Sequence, residues 1–371
     1  MATRFPLINQ VLPIEMLKKI LEKLDFRSLC LAKHTCRHWK GIINGFKLKE
    51  IASSEYLNIC TFCKKRVPYN HIFPILGRIT CTIVVGGYNR EYDANAADIL
   101  TGDFKSIQLP KLPTNIIGLS MAMQNGSILL CGGNRNEKKC LKLEDRTWTL
   151  HSILNKKRIY HSTVTTQKAT FLFGGEESRT TFEYLPKDSS KWLMGKTRIP
   201  GGFESGSAIA LKSEQEILLF GCQGGNFGRK RILKFNVNDH TFQELPSQLR
   251  IGRQGHRCAY IPNSNKIMIT GGYSYGYLDS AEILDTEDGS VTKASPMNTK
   301  RHTHGMDIVS INGEDRLAVY GGNRSWHTSL DCVEVYNTTT GKWEYTDIKL
   351  KITNAFFGYL NVKLEDIITK L

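Results

Sequence analysis

The sequence predicts a mainly β chain: a six-bladed propeller preceded by a small all-α segment. Three recurrences carry the propeller. Short apolar runs end in paired glycines at Gly86-Gly87, Gly132-Gly133, Gly174-Gly175, Gly271-Gly272 and Gly321-Gly322, and an imperfect copy falls at Gly221, with its pair delayed to Gly224-Gly225. Successive copies lie 42 to 50 residues apart, the period of a four-stranded blade. An aromatic follows most of the pairs, at Phe104, Trp148, Trp192, Phe242 and Trp343, with Val291 as the exception. An Arg-x-x-His element then recurs at Arg158–His161, Arg253–His256 and Arg301–His304.

Each element has a physical reason. A run such as TFLF or LAVY is the signature of a strand covered on both faces. Paired glycines allow a tight exit with positive φ and close backbone approach, and the aromatic fills space between neighbouring sheets. One blade cannot bury both of its faces, so the ring must close. The first run has no strand-like segment before it, and the C-terminal NAFFGYLNVKL resembles the strand that precedes the other runs. The C-terminus is therefore expected to complete the first blade.

Residues 1–47 have a different period. Leu12, Met16, Leu17, Ile20, Leu21 and Leu24 recur at spacings of three and four, with Lys18, Lys19, Glu22 and Lys23 opposite them, as on an amphipathic helix. Pro13 suits a first helical turn. A second apolar run passes through Leu29, Leu31, Ala32, Cys36 and Trp39. Two or three helices of this size bury little surface alone, so a partner is expected to finish the core. Residues 48–77 read as a linker and 78–371 as the propeller.

Composition narrows the function classes. No apolar run is long enough to span a bilayer, and the N-terminus lacks a secretory h-region; a cytoplasmic protein, with access to the nucleus, is expected. The ten cysteines are scattered and read as reduced thiols. Cys60 and Cys63 form a C-x-x-C with His71 downstream, but no second pair completes a zinc set, and they read as linker cysteines. Neither a phosphate-binding glycine loop nor a nucleophile elbow is present, so no catalytic residue, cofactor or metal is expected. The formal charge of +15 favours acidic partners. Residues 1–50 hold ten Lys/Arg against four Asp/Glu, so much of the excess lies outside the propeller and nucleic acid is a minor expectation.

The segment from Leu12-Pro13 through Glu15, Ile20-Leu21, Leu24, Ser28-Leu29 and Cys36 to Trp39 resembles the F-box, and the glycine, aromatic and Arg/His recurrences resemble kelch repeats; the combination is that of the F-box/kelch family. The resemblance implies a non-catalytic substrate-recognition subunit of a Skp–cullin–F-box ubiquitin ligase. Leu12, Pro13, Met16, Leu17, Ile20, Leu21 and Trp39 would bind a Skp-family adaptor, and through it a cullin. The propeller would take the protein substrate on the loops after the double glycines and on the loop of the arginine. Those loops place Tyr88, Arg90, Asn134, Arg135, Arg158, Arg253, Tyr273, Arg301, Asn323 and Arg324 in the substrate site. Arg324, Arg90 and Arg135 fall on blades six, one and two, a basic arc that suits an acidic or phosphorylated peptide. Glu176 and Glu177 interrupt it, and Arg198 extends the second loop. The histidines, one per blade, read as separate core groups satisfied by local hydrogen bonds. A kelch scaffold outside any ligase, and less readily a propeller enzyme, are the alternatives.

Overall fold

The structure is a computed structural model, and it describes residues 80–88, 95, 97–101, 104–222, 229–311, 314–350 and 355–363. The predicted helices and all seven adaptor-site residues, the linker with Cys60, Cys63 and His71, and Arg90 lie outside the described residues. The chain divides into two compact units, Met1–Cys81 with Val362–Leu371, and Thr82–Asn361; the second is described here.

It is a β-propeller. The described residues form six four-stranded antiparallel sheets and one two-stranded hairpin, and their one helical element is a 3-10 turn at Glu176–Ser178. In each sheet the apolar run ahead of the glycines is the second strand: Thr80–Val85, Ser127–Cys131, Ala169–Phe173, Glu216–Cys222, Lys266–Thr270 and Glu314–Tyr320. Neighbouring blades cover both faces of these strands, so their apolar side chains are buried; all five side chains of Ala169–Phe173 are. The inner strands are Gly358–Lys363, Ser120–Gln124, Ser162–Thr165, Ser207–Ala210, Arg257–Tyr260 and Gly305–Ile311. The C-terminal Gly358–Lys363 is the inner strand of the sheet that holds Thr80–Val85.

A backbone circuit closes the ring. Gly118, Tyr160, Ser205, Gly255, Thr303 and Phe356 each precede an inner strand, and all six have φ between 52° and 67°. Each donates its amide to the carbonyl of another: Tyr160 to Gly118 at 2.8 Å, Ser205 to Tyr160 at 2.9 Å, Gly255 to Ser205 at 2.6 Å, Thr303 to Gly255 at 2.7 Å, Phe356 to Thr303 at 3.3 Å, and Gly118 to Phe356 at 2.9 Å. The left-handed backbone costs about 1 kcal/mol or more at the four non-glycine positions. It is held there because the turn aims N–H and C=O at the two neighbouring blades.

Where the recurring aromatic is tryptophan, it binds its blade to the one before it. The Trp148 indole donates to the Pro110 carbonyl at 2.9 Å, Trp192 to the Ser152 hydroxyl at 3.0 Å, and Trp343 to the Ser295 carbonyl at 3.1 Å. A buried indole needs such a partner for its N–H. The double glycines answer to the histidines. A Cβ on Gly132, Gly221 or Gly271 would meet the ring of His161, His256 or His304 at 2.6 to 2.9 Å. The second glycine of the following blade faces the same histidine's Cβ, with Gly322 at 2.7 Å from that of His304.

Candidate functional site

The glycine loops and the arginine loops open on one end of the ring, and the structure sorts the predicted site residues there into two groups. Arg158, Arg253 and Arg301 are not on the surface: their exposure is 0%, 1% and 0%. Each is ion-paired to a buried glutamate, Arg158 with Glu183 at 2.9 Å, Arg253 with Glu282 at 2.6 Å and Arg301 with Glu334 at 2.9 Å. Each also donates to the carbonyl of the first glycine of its own blade, Gly174 at 2.5 Å, Gly271 at 2.8 Å and Gly321 at 2.8 Å. The glutamates accept backbone amides of the incoming loop as well; Glu282, for instance, takes Arg250 N at 2.6 Å and Ile251 N at 3.2 Å. Burial pulls the pKa of Arg158 and Arg253 down against the opposing pull of their glutamates. These arginines cannot reach a substrate, because their donors are spent inside the blade.

Asn134 and Asn323 also serve the scaffold. The Asn134 carboxamide accepts the Ile117 amide at 2.7 Å, and buried Asn323 accepts the Ser329 hydroxyl at 2.9 Å. The histidines are single and buried, as their spacing suggests. His161 meets the Ser120 hydroxyl at 2.6 Å and His304 the Thr270 hydroxyl at 2.9 Å. His256 departs from the expectation: neither ring nitrogen has a partner, so its satisfaction by local hydrogen bonds is not realised.

What reaches solvent is Arg135 and Arg324, with Tyr88 at 39% exposure and Tyr273 half-buried. Neither arginine has a carboxylate within ion-pair range among the described residues. Glu176 and Glu177 are exposed on the third blade, and Arg198 is exposed near them.

The larger surface feature escaped the sequence reading. Trp326 and Tyr275 are 74% and 105% exposed. Trp326 sits in the turn of the hairpin formed by Asn323–Ser325 and Thr328–Ser329. From it a chain of rings descends to the rim: Trp326 to Tyr277 at 6.4 Å between centroids, Tyr277 to His302 at 6.0 Å, His302 to Phe356 at 5.7 Å, and Phe356 to Tyr160 at 5.6 Å. Burial, then the charges of Arg257 and Arg229, hold His302 down to about 4, so it is a neutral aromatic at physiological pH. Tyrosine density in Tyr273-Ser274-Tyr275-Gly276-Tyr277 and the lone Trp326 after a double glycine were the available signals.

Below the rim lies a cavity of about 340 Å³ walled by the inner strands. Arg257 projects there, its guanidinium 5.6 Å from the Tyr359 ring centroid and donating to the His256 carbonyl at 2.9 Å, with a buried Nε that has no partner. Asp307, deeper on the neighbouring strand, is pushed up to about 7 because protein atoms replace its water, against a hydrogen bond from the Ile308 amide. Among the described residues no cluster of three metal-ligating side chains occurs. The loops after the double glycines thus expose Trp326, Tyr275, Arg324 and Arg135, side chains suited to binding.

An F-box domain model matches residues 10–51, and a kelch motif model matches residues 315–346, which span the second to fourth strands of the sixth sheet. The chain thus carries both an F-box match and a kelch match, the combination found in F-box/kelch-repeat proteins. The solved structure of YjhT is similar to it in fold, with a TM-score of 0.55 at 15% identity, over 67% of this chain and 88% of that one. No curated protein matches the chain. In an F-box/kelch-repeat protein the F-box is the adaptor-binding element and the propeller the element for a protein substrate, an architecture typical of non-catalytic adaptors.

Proposed function

We propose that this F-box/kelch chain is the substrate-recognition subunit of a Skp–cullin–F-box ubiquitin ligase. Residues 10–51 dock a Skp-family adaptor through Leu12, Pro13, Met16, Leu17, Ile20, Leu21 and Trp39. The rim of the propeller captures the client. The observation that carries the reading is the coupling of an F-box match to a propeller whose open end presents Trp326, Tyr275, Arg324 and Arg135 to solvent. Trp, Tyr and Arg dominate the energetics of protein interfaces, because each joins a large contact area to a polar handle. Exposed arginines with no carboxylate partner among the described residues suit a client segment that is acidic or phosphorylated. The protein works in the cytoplasm and, where its client requires, the nucleus. It acts without a cofactor.

The test is affinity capture of the full chain from cells, followed by identification of adaptor and cullin. Leu17→Asp is expected to abolish adaptor and cullin capture and to leave the propeller's clients bound. An intact chain that binds no Skp-family adaptor at micromolar concentration would sink the ligase reading and leave a kelch scaffold in its place.

A further inference from the structure

The second blade holds two thiols that no interaction-face reading uses. Cys131 ends the second strand, Ser127–Cys131, and Cys140 is the second residue of the third, Lys139–Glu144; the two are direct cross-strand partners. Gly132 N donates to Lys139 O at 3.1 Å, which makes the adjacent Cys131/Cys140 pair a non-hydrogen-bonded one. Side chains approach most closely at such pairs, with Cα atoms about 4.5 Å apart, inside the range that a disulfide spans. Both side chains are fully buried, and their sulfurs share a hydrogen bond at 2.7 Å.

The outer strand adds a second observation. Cys140 pairs with Ser152 but Leu141 pairs with Leu150, so His151 is the extra residue of a β-bulge opposite the cysteine. A bulge re-aims a side chain that the regular ladder would point away. Here it sets half-exposed His151 beside Cys140, next to the Ser152 hydroxyl at 2.9 Å. We propose that Cys131 and Cys140 are a peroxide-oxidised dithiol site, with Cys140 the attacking sulfur, Cys131 the resolving one and His151 the positioning residue that links the buried pair to solvent.

The electrostatics agree in direction. The hydrogen bond from Cys131, and then His151, hold the Cys140 thiol below its ordinary value, against the opposing effect of burial; burial pushes Cys131 up. The thiolate is the nucleophile. It attacks one oxygen of hydrogen peroxide: an S–O bond forms, the O–O bond breaks, and hydroxide leaves and takes a proton to become water. The resulting Cys140 sulfenic acid is attacked by Cys131: the S–S bond forms, the S–O bond breaks, and hydroxide leaves with the Cys131 proton as a second water. Two thiols are oxidised by two electrons and one peroxide is reduced to two waters. Cys258 and Cys332 have no such thiol partner. Burial pushes Cys258 up to about 12, and Cys332 receives a hydrogen bond from Arg301 at 3.1 Å.

The proposal is independent of the ligase reading. The test treats the full-length reduced protein with hydrogen peroxide, quenches it, alkylates it under denaturing conditions and maps the peptides. The expected result is loss of alkylation at Cys131 and Cys140 together, a linked peptide 2 Da lighter than the two thiols, and full return with dithiothreitol. Cys258 and Cys332 stay alkylated. His151→Gln, on a half-exposed residue that leaves the core untouched, is expected to slow link formation several-fold and to move its pH profile upward. Two free thiols after excess peroxide, or Cys140 carried to sulfinic acid without a link, would overturn the proposal.

Discussion

Arg253 and Glu282 meet at 2.6 Å with neither side chain more than 2% exposed, and the same pairing recurs at Arg158–Glu183 and Arg301–Glu334. Strand register and the loop hydrogen bonds locate the same two positions in other blades. In the second blade the two positions hold Ile116 and Leu141, and in the fourth Phe203 and Leu233, both buried in one apolar cluster. Blades two to six therefore contain two solutions to one junction, an ion pair or a hydrophobic pair. Removing one member of a buried ion pair costs about 3–5 kcal/mol, while replacing both with apolar residues is often neutral.

Glu282→Leu alone is accordingly expected to destabilise the propeller by about 3–5 kcal/mol, since it strands a guanidinium in the core. Arg253→Met with Glu282→Leu is expected to recover most of that loss. Thermal unfolding of wild type, single and double variants measures it. A double variant as unstable as the single would show that the guanidinium is needed for its bonds to the Gly271 and Ser280 carbonyls rather than for the charge pair.

The close fit of the C-terminal strand is open to a one-methyl test. A Cβ on Gly358 would lie 2.0 Å from Leu119 Cδ1, whereas one on Gly276 would meet nothing within 4 Å. Gly358→Ala is expected to cost about 1–3 kcal/mol, the range for overpacking a core, and Gly276→Ala almost nothing. Equal melting temperatures for the two variants would mean that the inner strand shifts freely at the closure.

These features differ in how far the sequence announced them. The blade period was legible because a doubly covered strand and its exit turn need apolar residues and then glycine, wherever they sit in the chain. The arginines were legible as a repeat and misread as surface. Their glutamates follow the second glycine of the pair by 8, 10 and 12 residues, since the intervening loops differ in length, and so no fixed spacing links the partners. Trp326, Tyr275 and Tyr277 belong to single loops and repeat nowhere. A period reveals what every blade shares, whereas a binding surface is built from what one or two blades have alone.

Protonation is expected to set a lower pH limit on the fold. Burial holds His161 down to about 3 and His302 to about 4, and places His256 and His304 well below the ordinary value. Below about pH 6.5 the unfolded chain therefore binds protons that the folded one refuses, and stability falls as pH drops. Asp307, raised to about 7, works the other way: its folded form holds a proton that the unfolded form has lost, so its cost grows between about pH 4 and 7. Four histidines outweigh one aspartate, and the melting temperature is expected to fall steadily from pH 6.5 to 4.5. Asp307→Asn is expected to raise it at pH 8 and to leave it unchanged at pH 4, where the wild-type carboxyl is already protonated. A shift of equal size at both values would assign the effect to packing.

The rim is expected to divide its work between rings and charges. Trp326→Ala removes the most exposed member of the ring chain that leads to Phe356, and Trp326 is 74% exposed, so the fold should tolerate the change. A hot-spot truncation of about 2 kcal/mol weakens binding roughly 30-fold. Client capture should fall by that order, with little dependence on salt. Arg135→Glu with Arg324→Glu should also weaken capture, through a loss that shrinks as salt screens both proteins, and neither change should alter adaptor binding through residues 10–51. Proximity labelling of wild type against each variant, at low and high ionic strength, reads both outcomes. Full capture by both variants would move the client site away from this rim.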